Sequence, residues 1–413
     1  MRHSRRSFLA RGAALGCSLA ASPLLTPVSF ASAPWNRRLV VIILRGGMDA
    51  LDVVQPYGDP AYPALRQKLR GGPDHGGLDL DGFFALHPAL SPLMPLWRSE
   101  ELAFVHAVST PYRDKRSHFD GQDLLEAGTP GLEQARDGWL NRLLQQQSGI
   151  EARTAFALGQ GEMKLLNGAA PVADWSPDAA LMMSPQAERL VGLLMEDDAL
   201  FHGALSEALD LSREAPGLPL SGEDTQVDMQ GGQMGMAGGM TMPVPARGKA
   251  HLKIAAYAAQ QLRADTRIAA FSINGWDTHN RQDRALKSAL GRLSDTVLEL
   301  RAGVGADVWD KTAVVAMTEF GRTARENGTG GTDHGTGGAM LLAGGAIRGG
   351  RIYGRWPGLE EAALYDRRDL MPTADVRAPA AWILRGLTGV GVAELEQTVF
   401  PGLRMEDDLG LLR

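Results

Sequence analysis

A single cysteine, Cys17, stands in a chain of 413 residues. That excludes a disulfide-stapled fold and any metal site made of several thiolates. Nowhere is there an apolar run of the roughly 20 residues that a permanent membrane-spanning helix needs, so no span is predicted. Basic residues are not in excess either. Lys and Arg number 42 against 48 Asp and Glu, a formal charge of −6, which argues against a nucleic-acid partner. No internal repeat is visible. What is left is ordinary globular composition, 44% hydrophobic and 22% charged, in a length that suits one large α/β domain or two smaller ones.

Residues 1–31 read as a removable export signal. Ser4-Arg5-Arg6-Ser7-Phe8-Leu9 is a twin-arginine pattern, and a short apolar stretch follows from Ala13 to Leu25. Small residues at Ser29, Ala31 and Ala33 offer a cleavage site, better after Ala31 because Pro34 adjoins the bond after Ala33. A lipoprotein signal ending at Cys17 is the rival, with only a very short apolar run before it. Removal takes the one thiol from a chain bound for an oxidising compartment. It also takes Arg2, Arg5, Arg6 and Arg11 and no acid, which moves the formal charge of −6 to about −10. The predicted location is the periplasm or the exterior, and the twin-arginine machinery is a predicted partner. That route exports folded chains, which favours a metal or cofactor acquired beforehand.

Five apolar segments predict strands: Arg38 to Leu44, Leu102 to Val108, Arg267 to Ile273, Ala313 to Met317 and Ala339 to Ala343. Runs without alternation suit strands covered on both faces, as in a parallel sheet. Helical patterns lie between them, the clearest from Gln282 to Ala302 with Leu286, Leu290, Leu293, Val297 and Leu300 on one face. Others run from His87-Pro88 to Arg98, over Gln122 to Ala127, from Asp137 onward and over His251 to Ala264. The alternation predicts an α/β sandwich with a mostly parallel central sheet between helices. From about 150 to 250 the pattern weakens into what reads as an insertion beside that sheet, and 212–248 reads as a flexible loop because its composition buries no core. Its methionines offer soft ligands for Cu(I), but no His or Cys accompanies them.

Strands of a parallel sheet gather ligands beyond their carboxyl ends, and metal-type donors recur there. Asp49 lies in the Gly46-Gly47-Met48-Asp49 loop, Ser117 in Arg116-Ser117-His118-Phe119-Asp120, Asp277 and His279 in Gly275-Trp276-Asp277-Thr278-His279, and Glu319 in Thr318-Glu319-Phe320-Gly321-Arg322. Asp333 and His334, in Gly331-Thr332-Asp333-His334-Gly335, precede the fifth strand. Each has a plain alternative. Asp49 and Ser117 are placed like helix caps, although a helix N-terminus also suits a nucleophile by stabilising an anion beside its oxygen. Recurrence at one end of successive strands favours a shared site. An oxygen-rich set with histidines and no cysteine suits Zn²⁺ or Mn²⁺, with Ca²⁺ or Mg²⁺ next.

Taken in this order, the five segments resemble the twin-arginine-exported family called domain of unknown function fifteen-oh-one, over nearly the whole mature chain. That family is grouped with the alkaline phosphatase-like superfamily of phosphatases, sulfatases and phosphomutases. The resemblance implies an alkaline phosphatase-like fold with metal at the sheet edge. It makes Asp49 the first-strand metal ligand, Ser117 the nucleophile at a helix start, Asp277 and His279 an Asp/His pair, Glu319 the later carboxylate and His334 the final histidine. Two departures stand out. The pair is usually spaced wider than Asp-x-His, and Glu319-Phe320 occupies the place of an adjacent Asp-His, so a histidine is missing there unless His118 supplies it.

The expected function is an exported metal-dependent hydrolase of phosphate or sulfate esters, acting on a small anionic ester. Ser117 is the expected nucleophile, with one ion on Asp49 and Glu319, helped by His118, and a second on Asp277, His279 and His334. Asp333 either binds directly or orients His334, and Arg116 or Arg322 neutralises the transferred group. The alternative is a non-catalytic envelope protein that keeps the fold and a partial or structural metal site. Shared ions require Asp49, Ser117, Asp277, His279, Glu319 and His334 to converge at one edge of one sheet.

Overall fold

The computed structural model describes residues 33, 35–113, 116–134, 136–159, 163–176 and 250–413. The export signal expected at 1–31 and the loop expected at 212–248 lie outside them. In chain order the strands are β1 (Arg38–Arg45), β2 (Val54–Gln55), β3 (Leu78–Asp79), β4 (Ala85–Leu86), β5 (Leu102–Ser109), β6 (Ala155–Leu158), β7 (Ala173–Trp175), β8 (Ile268–Asn274), β9 (Thr312–Met317), β10 (Gly338–Ala343), β11 (Arg351–Tyr353) and β12 (Ala374–Asp375). Nine of them form the central sheet, ordered β11-β5-β10-β9-β1-β8-β6-β7 with β12 beside β5, while β2, β4 and β3 make a small antiparallel sheet.

The apolar run of β1 has a direct cause in this layout. It pairs in parallel on both sides, with β8 and β9, so both of its faces are covered. Leu39, Val41 and Ile43 pack into one layer and Val40, Ile42 and Leu44 into the other; each such side chain contributes about 1.5–3 kcal/mol when fully buried. The second layer holds the helices Ala250–Arg263 and Gln282–Val304, the first holds Trp139–Gln145 and Arg377–Thr388. The result is an α/β sandwich with a mostly parallel sheet.

One strand runs against the others. β10 is antiparallel to both of its neighbours, β5 and β9, so β1, β5, β8 and β9 all end at the edge where β10 begins. This brings the loop ahead of β10 to the same place as the loops that follow the other four strands.

Two expectations need correction. Residues 155–158 and 173–175 are strands β6 and β7 that extend the central sheet beside β8, so the region from 150 to 176 is not an insertion apart from it. Segments of four and three residues, partly alanine, are too short to display a period. The segment after His87 is a 3-10 helix, Pro88–Leu93, followed by a short α-helix, Met94–Arg98, because Pro92 and Pro95 remove backbone donors that one continuous α-helix would use. No helix among the described residues is long and apolar enough to cross a membrane.

Candidate metal centre

The helix His118–Ala127 starts at the edge described above. Ser117 caps it, its Oγ accepting from the Asp120 amide at 3.4 Å, and the Ser117 amide donates to Tyr112 Oη at 2.8 Å. His118, the first helical residue, stacks on Phe320 and sets its Nδ1 2.8 Å from Glu319 Oε1. Glu319 is fully buried; its carboxylate also accepts from the amide of Gly46 (2.9 Å), Gln122 Nε2 (3.2 Å) and Thr318 Oγ1 (2.9 Å). Burial alone would raise its pKa, but the hydrogen bonds, led by that from His118, hold it below the usual range. An ionised carboxylate only accepts, so the proton of a neutral His118 resides on Nδ1. Nε2 is then left buried without a hydrogen-bond partner, 3.5 Å from Asp277 Oδ2. The bond to Glu319 raises the pKa of this imidazole. Two acceptors that face each other this way suit a proton, a bridging water or a metal ion between them.

Asp277 leaves β8 through a tight loop. A Cβ at Gly46 would meet the Asp277 amide nitrogen at 2.5 Å, so only glycine lets the two loops approach this closely. Arg322 holds the carboxylate, with Nη2 2.6 Å from Asp277 Oδ1. Its other bonds go to the carbonyls of Gly47 (2.7 Å), Thr332 (3.0 Å), Gly46 (2.6 Å) and Trp276 (3.1 Å). Burial pushes the Asp277 carboxyl up, but Arg322, His279 and His118 outweigh it and bring it to about 2. The Arg322 guanidinium is buried and fully engaged, so it orients Asp277 and is not available to a transferred group, contrary to the sequence reading.

His279 and His334 complete the cluster. His279 Nε2 lies 3.1 Å from Asp277 Oδ1 and 2.9 Å from His334 Nε2, which itself lies 3.3 Å from Asp277 Oδ1. Their Nδ1 atoms face away, toward Asp333 Oδ1 (3.1 Å) and the Arg116 carbonyl (2.8 Å) respectively. Both partners are acceptors: a bond from Asn327 leads the effects that keep Asp333 ionised, while burial holds the pKa of His334 down. The protons of the neutral rings therefore reside on Nδ1 and two Nε2 lone pairs face each other. His118, Asp277 and His334 offer ligand atoms all within 4.8 Å of one another. Three imidazoles whose far nitrogens are anchored by two carboxylates and a carbonyl, aimed at one further carboxylate, match the way proteins orient metal-binding histidines. The chemistry of these donors fits a metal ion.

The remaining expected ligands stand behind this set. Glu319 is hydrogen-bonded to His118, and Asp333 to His279 and not to His334. Asp49 is the clearest correction. It is fully buried and held by Arg66, whose Nη1 is 2.6 Å from Oδ2 and Nη2 3.0 Å from Oδ1, while Gln282 Nε2 donates to the same Oδ2 at 2.6 Å. Its positive partner is a guanidinium, so no ion shared by Asp49 and Glu319 is supported. The Arg116 side chain, partly exposed, stands 3.9 Å from Asp369 Oδ2. Sequence reasoning missed Arg66, Asp52, Gln122, Gln282 and Asn327. Of these only Gln282 carried a signal, as the polar residue that opens a helix immediately after the Asp-x-His loop.

A family model described as protein of unknown function (DUF1501) matches residues 107–378 of the chain. Among solved structures, the chain is similar to the lipoteichoic acid synthase LtaP from Listeria monocytogenes, at 9% identity over 91% of this chain and 77% of that one, with a TM-score of 0.38. It is also similar to Ps i-CgsB in complex with k-i-k-neocarrahexaose, at 10% identity over 88% and 75%, with a TM-score of 0.34. A search of curated proteins finds no match.

Proposed function

The chain belongs to the DUF1501 family, and from that premise we propose that it is an exported, metal-dependent hydrolase of phosphate or sulfate esters, of the alkaline phosphatase-like kind that the motifs resemble. The observation that carries this reading is the convergence of His118, His279 and His334 on Asp277, each ring turned so that Nε2 faces the same space. These four residues would hold one divalent ion, zinc or manganese before calcium or magnesium, since nitrogen donors predominate. Held by these residues, such an ion would supply Lewis-acid polarisation of an ester oxygen.

The protein's own groups supply the rest. Ser117 lies between Arg116, whose carbonyl fixes His334, and His118. Its hydroxyl keeps free lone pairs, having one long bond from the Asp120 amide. Its oxygen attacks the phosphorus or sulfur centre as its proton passes to solvent, and the ester oxygen leaves and is protonated to the alcohol or phenol. Water then hydrolyses the seryl ester to release the anion and restore Ser117. The N-terminus of the following helix favours the negative charge that develops there. Arg116, with a side chain 38% exposed, supplies a positive charge to the transferred group, which favours a small anionic ester as substrate. The arginine pair at Arg5 and Arg6 directs the chain to the twin-arginine machinery and out of the cytoplasm.

The purified mature protein, offered Zn²⁺ or Mn²⁺, is expected to hold about one ion per chain and to hydrolyse aryl phosphates or sulfates. His334→Ala is expected to lose both properties. Ser117→Gly removes the hydroxyl at a cost of only a few tenths of a kcal/mol, because glycine is a tolerated cap; full activity in that variant removes the nucleophile. The engagement of Asp49 by Arg66 favours a second reading, an envelope protein with a single structural ion. A protein that is loaded with metal and idle on every ester tested would establish it.

A further inference from the structure

We propose that Gln282 is a positioning residue of the metal centre. Its side-chain amide pins the loop that carries Asp277 and His279 to the loop that carries Asp333 and His334, and the buried pair Asp49 and Asp52 orients that amide. The inference rests on the metal-centre reading above.

Gln282 is fully buried at the start of the helix Gln282–Val304. Its Nε2 donates to Asp49 Oδ2 at 2.6 Å and to Asp52 Oδ2 at 2.8 Å. Two carboxylates on one nitrogen decide which way the amide faces, since the oxygen could not take that place. Oε1 is therefore turned to the other side, where it accepts from Thr278 Oγ1 at 2.9 Å and Thr332 Oγ1 at 2.7 Å. Thr278 stands between Asp277 and His279, and Thr332 immediately precedes Asp333 and His334. One carbonyl oxygen thus gathers both ligand loops at their base. The backbone repeats the link: the Thr332 amide donates to the Thr278 carbonyl (3.2 Å) and the Gln282 amide to the Gly330 carbonyl (2.9 Å). A Cβ at Gly331 would meet the His279 carbonyl carbon at 2.4 Å, so the loops are in direct contact.

The chain of bonds runs from Arg66 to Asp49, to Gln282, to the two threonines and so to four residues of the centre. It gives Asp49 a role other than ligation. Asp49 acts through Gln282 on the distance between the loops, and with it on the separation of the His279 and His334 Nε2 atoms.

The test is equilibrium titration of zinc against a competing chelator, with Co²⁺ absorption spectra in parallel, on the mature full-length chain. Wild type is compared with Gln282→Met, Thr332→Val and Leu293→Ala, the last a buried residue of the same helix outside the network. Gln282→Met and Thr332→Val are expected to weaken zinc by about tenfold or more, as supporting residues of metal sites do, and to alter the Co²⁺ d–d bands. Leu293→Ala is expected to lower the melting temperature while leaving affinity and spectrum alone. Equal zinc affinity in wild type and Gln282→Met overturns the proposal, and if that variant does not fold, Thr332→Val decides in its place. If wild type takes up neither metal, the metal-centre reading fails separately. Amide exchange in the metal-free protein then decides the clamp: selective loosening of residues 275–280 and 328–335 in Gln282→Met supports it, and unchanged exchange overturns it.

Discussion

Two carboxylate clusters lie at the same edge of the sheet and differ in exposure and in the groups that face them. Asp49 and Asp52 are buried with Arg66 and Gln282, and every oxygen of Asp49 meets a donor fixed in the protein. Asp277 is about half exposed, and besides Arg322, which holds one of its oxygens, three imidazole nitrogens face it. The first cluster is closed and the second open. A carboxylate becomes a candidate ligand when imidazole nitrogens converge on it at an exposed edge, and the type of residue does not reveal that by itself.

The largest expected effect breaks the closed cluster. Arg66→Ala leaves Asp49 buried with no cation, which costs about 3–5 kcal/mol for a buried pair cut on one side, measured by urea unfolding. Replacing both partners, as Arg66→Met with Asp49→Asn, is expected to recover much of that loss, because the Asp49 charge is then no longer stranded. A loss below about 1 kcal/mol in Arg66→Ala, the range of exposed pairs, would mean that the cluster is open to water and that the contrast is false.

Histidines sharpen the same contrast. His106 on β5 is buried, with Nε2 3.2 Å from the Val54 carbonyl and Nδ1 accepting from the Ala107 amide at 3.0 Å. Both nitrogens are used by backbone, so the ring is complete as a neutral group, and burial lowers its pKa to about 4. The unfolded chain, with a value near 6.5, binds the proton first as pH falls. The stability that neutral His106 contributes is therefore full above about pH 6.5 and lost progressively as pH falls toward 4. The shift corresponds to about 3 kcal/mol. Unfolding curves for wild type and His106→Gln, subtracted at each pH, isolate this limb from the other titrating groups. Parallel curves would show that His106 has the same proton affinity folded and unfolded, and so is not closed off from water.

Much of this could be read in the sequence. The unbroken apolar runs of β1 and β9 announce strands covered on both faces, and the segments that follow β5 and β8 contain His118, Asp277 and His279, with His334 ahead of β10. Roles were less legible than positions. Glu319 meets His118 across 201 residues of sequence, so no local spacing indicates that one orients the other. Arg66 reaches Asp49 from 17 residues away, beyond any helical or strand period. Arg322 has the composition of an anion contact, yet its guanidinium is closed in by four backbone carbonyls. Burial decided those three cases, and burial of a charged residue comes from tertiary packing that the pattern of apolar positions does not encode.

The smallest expected effect on stability belongs to the open cluster, where the effect on function is large. His279 is 42% exposed on its side chain and shares Asp277 with His334 and Arg322. Truncation in His279→Ala forfeits its bond to Asp333, but it also removes one of two imidazole nitrogens that face each other at 2.9 Å. The losses and the relief oppose, Asp277 keeps its guanidinium, and no buried charge is stranded. In chelator-treated protein the change in unfolding free energy is therefore expected to stay within about 0.5 kcal/mol, as for surface substitutions. Zinc affinity, with one of four donors gone, is expected to fall by about 100-fold or more, beyond the loss typical of a supporting residue. A metal-free loss of about 2 kcal/mol or more, with zinc binding intact, would make His279 a structural residue like those around Asp49 and leave the two clusters alike.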